Sequence, residues 1–239
     1  MPSRTDRIEQ AARRHVEAGS HAGIEWLVRL DGHDWLRGSV GLADPLAGTP
    51  MPEKPIYRLY SMTKPVISAI ALMLVEEGRL HLYDPVAAFL PDFARMQVID
   101  DDGTLHPARR MMLVEHLLTH RSGLTYGFMM QSEVDALYRK EKIGRPDETL
   151  QEMARRLAKL PLECSPGDEW WYSHSTDVLG AIVEIVSGME LDQFFRERIT
   201  GPLGMVDTDF WVPEDKIDRL MACYERHPIT GVTDRSTAA

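Results

Sequence analysis

The chain has 239 residues, of which 44% are hydrophobic and 27% charged. That is enough to bury a core in one large domain or two intimate ones, with the composition of an ordinary soluble globular protein. A formal net charge of −10 at pH 7 argues against a nucleic-acid partner, which selects for a basic patch, and no run approaches the roughly 20 apolar residues of a membrane span.

The start, Met1-Pro2-Ser3-Arg4-Thr5-Asp6-Arg7, is polar and no apolar signal core follows it, so a cytoplasmic protein with no membrane partner is expected. Cys164 and Cys223 are too few for a disulfide framework and read as free thiols. Asp6 to Ala18 carries an amphipathic helical pattern ending at Gly19. Ile24 to Leu30 reads as a strand, Asp31-Gly32 as a turn, and Trp35 to Leu42 as the returning strand of a β-hairpin. Pro45 to Pro55 is a Pro-rich connection that leads into a short extended segment, Ile56-Tyr57-Arg58-Leu59.

The run from Ser61 to Glu77 reads as one helix, with Pro65 in its first turn and Gly78 at its stop. Val66 to Val75 has almost no polar face, which predicts a buried central helix. Beyond it come a short helix ending at Leu90-Pro91-Asp92-Phe93, an exposed turn at Asp100-Asp101-Asp102-Gly103 and a helix over Val114 to His120. Residues 131–160 are charge-rich and helix-forming, with Leu150 to Leu160 the best amphipathic piece. Trp170-Trp171-Tyr172-Ser173 is extended or turn-like, Asp177 to Val186 forms a second largely apolar helix, and a short helix surrounds Gln193–Ile199. A hairpin followed by a long helical region gives the α+β class.

Ser61 and Lys64 stand three apart and therefore share a helix face. At a buried helix N-terminus, desolvation and the helix dipole would lower the lysine pKa until a neutral amine could accept the serine proton. The same N-terminus offers backbone N–H groups to a developing oxyanion. Alone, the tetrapeptide reads better as a capping serine followed by a surface lysine. Tyr172, taken alone, reads as a core aromatic beside Trp170 and Trp171. His116 and His120 have a spacing that can ligate zinc, but Glu115 precedes the first histidine instead of following it. No metal or organic cofactor is implied.

Several blocks then coincide. Leu59-Tyr60-Ser61-Met62-Thr63-Lys64-Pro65, His116-Leu117-Leu118-Thr119-His120-Arg121-Ser122-Gly123-Leu124 and Pro166-Gly167-Asp168-Glu169-Trp170-Trp171-Tyr172-Ser173-His174 resemble, in order, sequence blocks of the penicillin-recognising serine hydrolases. Asp177-Val178-Leu179-Gly180 and Pro202 to Thr208 follow in step. Within that superfamily the chain is most similar to the group containing class C β-lactamases and family VIII carboxylesterases.

The resemblance implies a β-lactamase-like fold, an antiparallel sheet flanked by helices plus a helical domain. Residues 1–60 would begin the α/β domain, 61–215 would form the mainly helical domain, and 216–239 would start the return. It implies Ser61 as the acylated nucleophile, Lys64 as its proton acceptor or relay and Tyr172 as a second base. His174 stands where the β-lactamases carry asparagine and would line the acyl pocket, while Tyr126 would border the cleft. The family's third motif has no counterpart before Ala239, so the C-terminal sheet strands are expected to lie outside this chain, and a separate chain carrying them is one expected partner. The function implied is a carboxylesterase acting on small-molecule, short-chain esters through a Ser-Lys-Tyr acyl-enzyme. The alternatives are a β-lactamase or D-Ala-D-Ala peptidase, an acyltransferase, and a non-catalytic sensor that is acylated and never released.

Overall fold

A computed structural model describes residues 4–100, 102–226 and 233–235. Met1-Pro2-Ser3 and Asp101, which figured in the expected polar start and acidic turn, lie outside the described residues. The chain forms two compact units, one made of the residues up to Leu59 together with those from Trp211, the other Tyr60–Phe210.

In the first unit, helix α1 (Arg4–Glu17) precedes strands β1 (Gly23–Leu30) and β2 (His33–Asp44). The strands pair antiparallel from Gly23↔Gly41 to Leu30↔His33. Asp31 and Gly32 both have positive φ, 51° and 79°, the requirement of the tight hairpin turn that matches strand twist. The Pro-rich connection holds a strand the sequence did not disclose, β3 (Thr49–Pro50), which pairs with β2 and makes a sheet of order β1-β2-β3. Pro50 sits on the outer strand, where a missing N–H is tolerated.

The second unit opens with a 3₁₀ turn, Tyr60–Met62, that runs into helix α2 (Thr63–Glu76). Ile67, Ile70, Ala71 and Leu74 are the buried face of α2. Pro65, Ala69 and Leu72 lie on an exposed stripe, with Leu72 48% exposed, so the expectation of a helix buried all round is corrected. An apolar composition reports low polarity but not how many neighbours surround a helix. Strands β4 (Gln97–Ile99) and β5 (Leu105–Pro107) form a small hairpin across the expected acidic turn, and Val98 bridges Leu162.

Helices α3 (Val114–Leu118), α4 (Glu133–Lys140) and α5 (Leu150–Leu157) follow. Ser132 caps α4 by accepting the Asp135 N–H, and Thr149 caps α5 by accepting the Glu152 N–H, so both starts are fixed by side-chain oxygens. Helix α6 (Ser175–Ser187) is the centre of this unit. Its Val178, Leu179, Ala181, Ile182 and Val183 are fully buried, and truncating one of the larger of them to alanine would cost about 2–5 kcal/mol. Helix α7 (Leu191–Phe195) continues into a π-helical turn, Arg196–Thr200.

Back in the first unit, Ile56 bridges Leu220 in parallel, donating to the Arg219 carbonyl and accepting from Met221 N–H. Strands β6 (Tyr224–Arg226) and β7 (Thr233–Arg235) then pair with each other. Among the described residues this pair is separate from the β1-β2-β3 sheet. Residues 236–239 lie outside the described residues. Among the described residues no helix is long and apolar enough to cross a membrane.

Candidate active site

Ser61 lies in the 3₁₀ turn, one residue after Tyr60, whose φ of 45° is left-handed. A non-glycine residue there carries strain of order 1–2 kcal/mol, and a sharp turn of this kind lifts the following side chain away from the helix barrel. The Ser61 hydroxyl is accordingly exposed and Lys64, in the first turn of α2, is only half-buried. The expectation of a buried pair is corrected. What joins them is proximity, since Lys64 Nζ donates to Ser61 Oγ at 3.2 Å.

The same ammonium lies 4.9 Å from the ring centroid of Tyr172 and 5.3 Å from that of Tyr126. Both distances are within the range at which a cation is attracted by an aromatic face. Ser61, Lys64, Tyr172 and Tyr126, separated by up to 111 positions in the chain, therefore meet around one amine.

Two backbone segments run side by side to place Tyr172. Trp171 N–H donates to the His120 carbonyl at 2.9 Å, and His174 N–H donates to the Thr125 carbonyl at 3.2 Å, so the tyrosine is bracketed by two inter-segment bonds. Gly167 N–H reaches the Arg121 carbonyl at 2.7 Å and Glu163 N–H the Gly123 carbonyl at 2.9 Å. Gly123 must be glycine for this approach, because its φ is 82° and a Cβ would stand 2.3 Å from the Cys164 carbonyl oxygen. Asp168 ion-pairs with Arg109 and Arg110, and Arg121 donates to the Gly167 carbonyl, which ties down the stretch leading to Tyr172.

Beneath Tyr172 a buried chain of hydroxyls continues the link. Ser122 Oγ and Ser175 Oγ are 2.7 Å apart, Ser175 Oγ and Ser173 Oγ are again 2.7 Å apart, and Ser173 Oγ lies 3.2 Å from His120 Nδ1. Burial pushes the His120 imidazole below the ordinary histidine range, and the Lys64 charge pushes it the same way against the opposing pull of Asp177. His116 is buried one helical turn earlier, its Nδ1 accepting the Leu113 N–H at 3.1 Å. Burial lowers its pKa as well. Among the described residues no three His, Cys, Asp or Glu side chains are grouped to hold a metal ion.

His174 pairs with Asp177 (Nδ1···Oδ2 2.9 Å) and meets Tyr126 edge-on with ring centroids 4.2 Å apart. Tyr126 is itself 5.5 Å from the Tyr172 ring, and its burial pushes the phenol pKa up, so it remains protonated. The structure thus brings together all five site residues expected from the sequence. Sequence reasoning missed Ser122, Ser173, Ser175 and Asp177; the available signal was a run of small polar residues, Ser173-His174-Ser175-Thr176, directly before an apolar helix.

Two clefts adjoin this cluster. One of about 500 Å³ lies against Tyr60, Thr63 and Lys64 and carries Asp177, Glu184, Glu190 and Asp192. The other, of about 370 Å³, is lined by Tyr126, Phe128 and His174 together with Arg139 and Lys142.

A family model described as "Beta-lactamase" matches residues 8–238, and the chain belongs to that family. Esterase EstB of Burkholderia gladioli is 38% identical over 213 residues, covering 88% of this chain and 52% of EstB. Protein Rv1367c of Mycobacterium tuberculosis is 42% identical over 205 residues, covering 80% of this chain and 50% of the relative. Among solved structures, "EstCE1, a hydrolase with promiscuous acyltransferase activity" superposes with a TM-score of 0.81 at 29% identity, covering 97% of this chain and 58% of that one. The fold is β-lactamase-like and the setting that of a serine hydrolase family with esterase and acyltransferase members. The chain spans about half the length of the curated relatives it matches.

Proposed function

We propose that this chain carries the nucleophile and both bases of a serine carboxylesterase that cleaves short-chain esters through a Ser-Lys-Tyr acyl-enzyme. The observation that carries the reading is Lys64 Nζ at hydrogen-bond distance from Ser61 Oγ with the Tyr172 ring 4.9 Å from the same nitrogen. Ser61 Oγ attacks the ester carbonyl as its proton passes to the Lys64–Tyr172 pair. The proton is handed to the departing alkoxide as the ester C–O bond breaks, leaving an acylated Ser61 and free alcohol. Water then attacks the acyl carbon, gives its proton to the same pair, and the serine oxygen leaves with a proton returned. Similarity to Esterase EstB supports the ester class.

The test is fluorophosphonate labelling with the modified residue mapped by peptide mass spectrometry, alongside turnover of p-nitrophenyl acetate and butyrate. Labelling at Ser61 and a loss of turnover exceeding about 10³-fold in Ser61→Ala are expected; labelling elsewhere, or unchanged turnover in that variant, overturns the reading. The description of EstCE1 favours one second reading, acyl transfer to an alcohol. In that case added alcohol captures the acyl group faster than water does, and ester product accumulates in place of free acid.

A further inference from the structure

Tyr126 belongs to two neighbourhoods at once. It faces the Lys64 ammonium and the Tyr172 ring, and it also forms, stacked on Phe128 with centroids 4.8 Å apart, part of the 370 Å³ cleft. That cleft is lined by the buried Tyr126 and Tyr138, the exposed Phe128 and Met130 and the half-buried Ile143, and it is cationic at Arg139 and Lys142; no carboxylate lines it. The 500 Å³ cleft on the Lys64 side is the reverse, with four carboxylates and one lysine. Lys64 and Tyr126, which meet at 5.3 Å, are therefore flanked by clefts of opposite charge.

The two cations differ in availability. Arg139 donates one guanidinium N–H to the Gly127 carbonyl, leaving the rest of its fork of five donors for a ligand. Lys142 has no ion pair among the described residues, and its backbone is held at a φ of 50°. A largely aromatic and apolar lining beside two cationic side chains is complementary to an apolar chain that ends in an anion.

We propose that the Tyr126 cleft is the subsite for an apolar arm of the ester that ends in a carboxylate, with Arg139 and Lys142 as the residues that select for it. The assignment rests on the esterase reading above and adds the substrate class to it. The carboxylate-rich cleft contributes by repelling the same anion, so that such a substrate enters in one orientation.

The experiment compares matched esters on the purified protein at low and high salt. p-Nitrophenyl hydrogen glutarate against p-nitrophenyl pentanoate places the charge on the acyl arm; 4-acetoxybenzoate against 4-methylphenyl acetate places it on the alcohol arm. One charged member should be preferred in kcat/KM by about three- to tenfold at low salt, as two solvent-accessible cations permit, with the preference shrinking at 0.5 M salt, where screening shortens to a few ångströms. The pair that shows it identifies the arm.

Arg139→Gln with Lys142→Gln should remove the preference and Arg139→Glu with Lys142→Glu should reverse it, each scored as a ratio within one preparation whose fold is checked by circular dichroism. Charged-to-neutral ratios at or below one for both pairs, unmoved by either double variant while p-nitrophenyl acetate is still hydrolysed, overturn the proposal alone. Absence of acetate turnover together with absence of Ser61 acylation overturns the esterase reading, and the proposal with it.

Discussion

The turn that carries Ser61 and the loop that carries Tyr172 meet at Lys64, yet they are built in opposite ways. The Tyr172 loop is bracketed by backbone bonds to His120 and Thr125 and underlain by three buried serine hydroxyls. The Ser61 turn is exposed, begins with a left-handed Tyr60, and has the Lys64 amine as its hydrogen-bonded neighbour. One half of the site gets its geometry from tertiary knitting and the other from local chain geometry at the start of α2. Damage to the first should therefore appear in stability as well as in activity, and damage to the second in activity alone.

The sharpest way to break this contrast is to alter the two proposed bases themselves. Lys64→Met and Tyr172→Phe each keep most of the side-chain volume and should slow ester hydrolysis by about 10²–10⁴-fold, with the urea midpoint nearly unmoved because both leave the backbone bonds that hold the Tyr172 loop intact; a substantial loss of stability in Lys64→Met would show that the amine is structural. Next in size, Gly123→Ala forces a Cβ against the Cys164 carbonyl at positive φ and should destabilise by about 2–4 kcal/mol. Its activity should fall in step with the folded fraction measured by circular dichroism.

A smaller effect is expected at Ser175, where alanine leaves the Ser122 and Ser173 hydroxyls each short of a partner. A loss of about 1–3 kcal/mol is expected in chemical denaturation, together with a raised KM or lowered kcat as Tyr172 loses its support. An unaffected Ser175→Ala variant would mean that the backbone bonds alone position the loop.

The mildest prediction concerns pH. His116 and His120 are both held neutral chiefly by burial, their pKa values lowered in the folded chain. Their contribution to stability is fully present above the unfolded value near 6.5 and is lost as pH falls through that value toward the lower folded ones. The urea midpoint should therefore drop between pH 7.5 and 5.5, and the drop should flatten when His116→Gln is combined with His120→Asn. Asparagine suits position 120, whose φ is 54°.

The sequence alone determined the order of elements, because caps, turns and apolar runs act over a few residues. Asp31-Gly32, for example, specifies its hairpin turn. Spaced blocks around Ser61, His120 and Tyr172 also pointed to one family, since a chemistry that needs three distant groups leaves three distant marks. Short-range reasoning could not tell that α6, not α2, is the buried axis of the helical unit, because both runs are equally apolar and only packing decides which one is surrounded. Nor could it find the serine chain beneath Tyr172 or the opposite charge of the two clefts. Those features join residues dozens of positions apart, and a hydroxyl or a rim charge has no sequence period to betray where the fold will bring it.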